Sequence, residues 1–170
     1  MEKFDIKKFE EKKINGEYNF ILNDGTQVRQ IENKNSKDYV EERKTASGMY
    51  TEIKLFFMGS GNLKTAGEKF YNFPVGKWKY FDEAGNLVKE PDWDTNYKFS
   101  VEDLAGKMEE MEIDIMHNTS GINVSRSSTG APLYSVQYPV NPLNIYKLYS
   151  LKIDGITGKI LEKKTVTTRN

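Results

Sequence analysis

One phrase occurs twice in this chain and narrows its fold more than any other feature. Leu55-Phe56-Phe57 is followed by Gly61-Asn62-Leu63, and 24 residues later Lys79-Tyr80-Phe81 is followed by Gly85-Asn86-Leu87. An aromatic strand, a polar turn closing on Gly-Asn and a fresh apolar residue make a β-hairpin that has to stack beside others to bury its apolar side. Asn23-Asp24-Gly25, between Tyr18-Asn19-Phe20-Ile21-Leu22 and Thr26-Gln27-Val28, reads as a degenerate third copy. Two clear copies are too few for a free-standing array, so the hairpins must lean on another part of the chain.

Around these hairpins the pattern continues. Residues 5–13 carry Ile6 and Phe9 at helical spacing, with Asp5 placed as N-cap, and predict a short surface helix ending before Asn15-Gly16. Residues 32–44 are strongly charged, with Tyr39 and Val40 as apolar anchors, and 33–38 read as an exposed loop. Strands are predicted over 50–57, 63–70, 77–81 and 87–90. Pro91-Asp92-Trp93-Asp94-Thr95-Asn96 is rich in turn formers and places a boundary between residues 1–96 and 97–170. Beyond it the grammar changes. Ser100 with Asp103 reads as a capping box, and Val101, Leu104, Met108, Met111 and Ile115 recur at helical spacing. Strands follow over 121–125, 133–138, 146–154 and 159–167. The expected fold is therefore α+β: antiparallel hairpins, then one helix packed on a small antiparallel sheet.

Composition narrows the function classes. Twenty-five basic and 25 acidic residues cancel, which removes the field that nucleic-acid binders use against phosphate. The chain has no cysteine, so thiolate chemistry and disulfides are excluded and a reducing compartment, the cytoplasm, is expected. No stretch approaches the roughly 20 apolar residues of a membrane span, and no membrane insertion is expected. His117 is the single histidine, which rules out multi-histidine metal sites and reads as a polar cap past a helix end. Thr119, Ser120, Ser125, Ser127, Ser128 and Thr129 supply hydroxyls without a nucleophile elbow. Gly59-Ser60-Gly61 lacks the lysine and the helix of a phosphate loop and reads as a hairpin turn. Asp92, Asp94 and Asn96 have the spacing of half a calcium loop, without its downstream glycine and glutamate. No cofactor, no metal and no enzymatic activity are expected.

What remains is a surface. Trp78 and Tyr80 read as core residues of the repeat. Trp93, between Asp92 and Asp94 in a turn, reads as an interface anchor, with Tyr97 beside it. Glu109, Glu110, Glu112 and Asp114 form an acidic run after the helix start, and Glu109 and Glu112 complete the candidate partner-binding set.

Two resemblances attach to these residues. Gly76-Lys77-Trp78-Lys79-Tyr80-Phe81-Asp82-Glu83-Ala84-Gly85-Asn86-Leu87-Val88 resembles the MORN-like repeat of bacterial antitoxin-like proteins of the YwqK type. The first copy departs from that pattern, with Lys54 in the tryptophan position. The resemblance implies an immunity protein that binds a cognate toxin by protein-protein contact. Leu151-Lys152-Ile153-Asp154-Gly155-Ile156-Thr157-Gly158-Lys159-Ile160-Leu161 is similar to the final hairpin of PepSY-type domains, in which a helix precedes a small antiparallel sheet. That likeness implies, as the alternative, a cell-envelope binding or peptidase-inhibitory module.

Overall fold

The computed structural model describes residues 2–45, 48–117, 121–127, 129–141 and 144–167, with the side chains of 144–146 left aside. The chain divides into two compact units, Met1–Phe70 with Pro74–Trp93, and Tyr71–Phe73 with Asp94–Asn170.

The first unit is a seven-stranded antiparallel meander in sequential order: β1 (Glu17–Ile21), β2 (Gln27–Asn33), β3 (Asp38–Lys44), β4 (Tyr50–Phe57), β5 (Leu63–Phe70), β6 (Phe73–Phe81) and β7 (Leu87–Lys89). Strand β3 lies in the segment that reads as strongly charged, and Asp38, read as the end of an exposed loop, is buried in it. It forms because its buried residues find partners: Tyr39 packs in the core, Asp38 accepts from Lys64 Nζ at 2.7 Å, and Glu41 accepts from Gln30 Nε2 at 2.6 Å and Arg43 Nε at 2.8 Å. The helix α1 (Ile6–Lys12) is capped by Asp5, whose Oδ1 accepts from the Lys8 N–H at 3.0 Å.

One sheet face holds an aromatic cluster. Register sets Tyr39, Phe56 and Leu63 in one cross-strand row, and Phe4 and Phe9 pack with them. Phe4 stacks on Tyr39 at 4.5 Å between ring centroids, and Phe9 meets Tyr39 edge-on at 5.3 Å. Phe9 is fully buried, which stabilises the docked helix by about 2–3 kcal/mol. The chain before α1 is tied to the β4–β5 turn by Phe4 N–H to Gly61 C=O at 2.9 Å and Leu63 N–H to Glu2 C=O at 3.2 Å.

The hairpins that carry the repeated phrase share a device that reaches beyond both copies. In β4–β5, Leu55 pairs Thr65 and Phe56 pairs Leu63, leaving Lys64 as a bulge; in β6–β7, Tyr80 pairs Lys89 and Phe81 pairs Leu87, leaving Val88. In both, the bulge falls three residues after the turn glycine, Gly61 or Gly85. The loops differ by a residue, however. Phe57 N–H bonds Asn62 C=O across four loop residues, whereas Asp82 N–H bonds Asn86 C=O across three. The structural equivalent of Phe56 is therefore Phe81 and not Tyr80, because a one-residue slip changes the face. Leu63 is buried at 8% exposure, but Leu87 is 54% exposed on the three-residue strand β7. Leu87, expected to continue the apolar face, pairs with Phe81, which packs on the core cluster, but is itself exposed on this edge strand.

The second unit contains α2 (Val101–Glu109) and a four-stranded antiparallel sheet in the order β11-β10-β9-β8, formed by β8 (Asn123–Arg126), β9 (Leu133–Asn141), β10 (Asn144–Asp154) and β11 (Ile160–Thr167). The α+β architecture is as the sequence predicts. The capping box is present in both halves: Ser100 Oγ accepts from Asp103 N–H at 3.0 Å, and Asp103 Oδ2 accepts from Ser100 N–H at 2.9 Å. Helix α2 is shorter than its apolar periodicity. It stops at a left-handed Glu112 (φ 61°), with Ile113 N–H bonded to Met108 C=O and Glu112 N–H to Glu109 C=O, each at 2.9 Å. Ile113 and Ile115 are still buried, but from an irregular segment. The β10–β11 hairpin repeats the device of the first unit: Lys152 pairs Glu162, Ile153 pairs Ile160, and Leu161 is the bulge.

Candidate functional site

The six candidate partner-binding residues fall in different places. Asp92 and Trp93 belong to the first unit, and Asp94, Tyr97, Glu109 and Glu112 to the second.

In the first unit, residues 91–93 run along the same outer side of β6 as β7 does. Trp78 N–H donates to Pro91 C=O at 2.9 Å, Lys77 and Asp92 form a bridge, and Trp93 N–H donates to Gly76 C=O at 2.9 Å. Pro91 has no N–H to offer, which suits a sheet edge. The backbone under Trp93 is thus held by the sheet while its indole is 48% exposed. Leu87 and Val88, both exposed, lie on the same side of β6, interspersed with Lys89, Glu90 and Asp92. An exposed tryptophan on a fixed backbone, on the same edge as exposed aliphatics and acids, has the chemistry of a protein-contact anchor. Tyr80, expected in the core, is half-exposed, and the Lys89 ammonium stands 4.3 Å from its ring centroid. Trp78 is buried as expected, and its Nε1–H donates to Glu68 C=O at 3.1 Å.

In the second unit, Asp94 and Tyr97 come together around Arg126, which no sequence pattern singles out. The Arg126 side chain is 6% exposed. Its guanidinium carbon lies 4.1 Å from the Tyr97 ring, 4.9 Å from Phe73 and 5.2 Å from Tyr134. Nη1 donates to Asp94, and Nη2 donates to Tyr134 Oη at 2.9 Å. Tyr134 in turn donates to Phe99 C=O at 2.8 Å, and its hydroxyl titrates above the ordinary value because burial outweighs the neighbouring guanidinium. Planarity and weak hydration let an arginine sit among three rings where a lysine would not.

The segment from Tyr97 to Phe99 also reaches the β10–β11 hairpin. A Cβ on Gly155 would meet the Tyr97 ring at 2.7 Å, and one on Gly158 would meet the Phe99 ring at 2.3 Å. Phe99 N–H donates to Gly155 C=O at 3.0 Å. In the turn itself, Asp154 Oδ1 accepts from Ile156 N–H at 2.9 Å, Thr157 N–H at 2.8 Å and the Thr157 hydroxyl at 3.1 Å. These bonds, the backbone one to Thr157 foremost, hold the Asp154 carboxyl below the usual range. Tyr97 therefore spends its ring on Gly155 and Arg126.

Glu109 and Glu112 are exposed at the C-terminal end of α2, and only Glu109 of the acidic run lies in the helix. Asp114 accepts from the N–H groups of Met116 and His117, each at 2.9 Å, and those bonds, that of His117 first, hold its carboxyl low. His117 is exposed, with Nδ1 3.3 Å from Asp114 Oδ1. Thr119, Ser120 and Ser128 lie outside the described residues. Among the described residues no helix is long and apolar enough to cross a membrane, and no group of acidic and histidine side chains is gathered as a metal would need.

Comparison of the chain with protein-family models, curated proteins and solved structures found no match to any of them.

Proposed function

We propose that this chain is an immunity-type protein that binds a bacterial toxin through the edge bearing Trp93 and blocks it by contact. The observation that carries the reading is the exposed indole of Trp93 on a backbone tied to Gly76. A pre-positioned aromatic loses little entropy on binding, and tryptophan is the commonest interface hot spot. Asp92, Glu90 and Lys89 supply a charged rim, which sets partner choice and encounter rate. The MORN-like phrase of residues 76–88 forms β6, its turn and β7, so the residues that carry the resemblance also build this edge. Co-expression with a toxin encoded beside the gene is expected to restore growth and to yield a co-purifying pair, and Trp93→Ala should weaken the complex about 30-fold. Failure of rescue together with failure of any neighbouring product to bind would discard the reading.

A second reading rests on the second unit, where a helix precedes a small antiparallel sheet and the Asp154-Gly155-Ile156-Thr157-Gly158 turn joins its last two strands. It makes the protein a peptidase-inhibitory module. Titration of the purified chain against metallopeptidases and serine peptidases, with residual activity as readout, separates it from the first reading.

A further inference from the structure

The outer edge of β1 differs from the other sheet edges. Strand β7 has three residues and is followed by Pro91; β8 has four; β11 carries Lys163, Lys164 and a bulge. Short length, proline, lysine and bulges are the usual means of blunting an edge. Strand β1 has none of them. It reads Glu17-Tyr18-Asn19-Phe20-Ile21 and continues into Leu22, with Ile21 69% exposed and Leu22 38% exposed.

Its hydrogen-bond polarity follows from the register. Leu22 N–H donates to Thr26 C=O and Glu32 N–H to Gly16 C=O, each at 2.9 Å, so the even-numbered residues of β1 bond β2 and the odd-numbered ones point outward. Glu17 is used locally, exchanging bonds with Ile14 at 2.7 and 3.1 Å. Asn19 and Ile21 are left to present N–H and C=O groups along the edge.

We propose that a second copy of this chain pairs with β1, antiparallel and two-fold symmetric, to join two seven-stranded sheets into one. The register is forced by the chemistry. Only Asn19 opposite Ile21 of the other copy, and the reverse, satisfies the outward groups of both residues on both chains. That register sets Phe20 against Phe20 across the axis and Tyr18 against Leu22 on each side. All three pairs fall on the core side of the sheet, where Tyr18 already packs against the cluster that contains Phe4 and Phe9. Facing aromatic and aliphatic pairs of this kind stabilise antiparallel strands. A pairing at Asn19 opposite Asn19 would instead call on Glu17, which Ile14 already occupies. Sequence self-complementarity at one register is what an isologous contact requires. The pairing stands independently of toxin binding, since it uses β1 and not the edge carrying Trp93. The contact is small, so its dissociation constant belongs on the order of 10–100 µM.

Sedimentation equilibrium on the full chain up to about 1 mM tests this. The wild type is expected to shift from monomer to dimer. Asn19→Pro removes an outward N–H without touching the β1–β2 ladder and should hold the chain monomeric. Ile21→Lys, which keeps the backbone intact, should weaken the dimer at least 10-fold if the proline variant fails to fold. Val88→Lys on the opposite edge should leave it unchanged. A wild type that stays monomeric throughout, a folded Asn19→Pro or Ile21→Lys chain that dimerises like the wild type, or a dimer broken by Val88→Lys overturns the proposal.

Discussion

The indole of Trp78 occupies the place where residue 67 would carry a side chain: a Cβ on Gly67 would stand 2.2 Å from Trp78 Cδ2. Strand β5 carries the glycine and its neighbour β6 the tryptophan, so the two form one cross-strand unit. Gly67→Ala is expected to destabilise the first unit by about 2–3 kcal/mol, because the neighbour is a rigid ring with no rotamer to yield. Trp78→Ala should cost about 3–5 kcal/mol. The double variant Gly67→Ala with Trp78→Leu should recover much of the alanine penalty. Urea denaturation of these three chains and of Trp78→Leu alone would show this coupling, and simple additivity of Gly67→Ala with Trp78→Leu would refute it.

Arg126 is held by three rings and one carboxylate, and its partner Asp94 is 41% exposed. Removing the guanidinium leaves a carboxylate that water can reach, so the loss is mainly stacking and packing. Arg126→Ala is expected to lower stability by about 2–3 kcal/mol. Arg126→Lys should recover less than half, since an ammonium can neither stack nor bond Asp94 and Tyr134 together. Thermal unfolding of the two variants decides between stacking and charge: full recovery by lysine would mean that charge alone matters.

Glu112 carries a left-handed backbone at the position where a helix usually ends in glycine. The left-handed conformation costs a non-glycine residue about 1–2 kcal/mol, and glycine gives back about 0.5–1 kcal/mol in chain entropy. Glu112→Gly is therefore expected to stabilise the second unit by about 0.5–1 kcal/mol, read as a rise in the urea midpoint. Should toxin binding fall in the same variant, Glu112 belongs to the contact surface as its charge suggests.

Tyr71 donates to Ile115 C=O at 3.0 Å, and burial, aided by the Asp114 carboxylate, pushes its hydroxyl up to about 12 from an ordinary value of 10.0. The folded protein resists ionising this group, so the contribution is fully present below pH 10 and is lost as pH rises through 12. Melting temperatures across this range should fall, and fall less in Tyr71→Phe, which has no proton to lose. Equal slopes for the two chains would count against the assignment.

Much of the local structure follows from short patterns. Asp5 caps α1, Ser100 and Asp103 close their box, and each hairpin turn bearing Gly25, Gly61, Gly85 or Gly158 forms where the turn residues stand, because caps and turns depend on a few neighbouring groups. Even the bulges at Lys64, Val88 and Leu161 follow one legible signature, a glycine, then Asn or Lys, then Leu or Ile. Strand β3 was hidden because two of its three buried members are Asp38 and Glu41, whose partners Lys64 and Gln30 sit on other strands. Of the candidate contact residues, the exposure of Trp93 was legible from its turn, whereas the inward role of Tyr97 was not, since Arg126 lies 29 positions away.

By itself the sequence determined the α+β order of elements, the turns and the caps, all of which are set within a few residues along the chain. Tertiary structure alone decided which copy of the repeated phrase was buried, where α2 stopped, and that Gly67, Gly155 and Gly158 exist to receive Trp78, Tyr97 and Phe99. Those outcomes depend on which side chain a neighbouring strand or segment brings across. One loop residue more or fewer reverses a face, and no local pattern records what will be waiting on the other side.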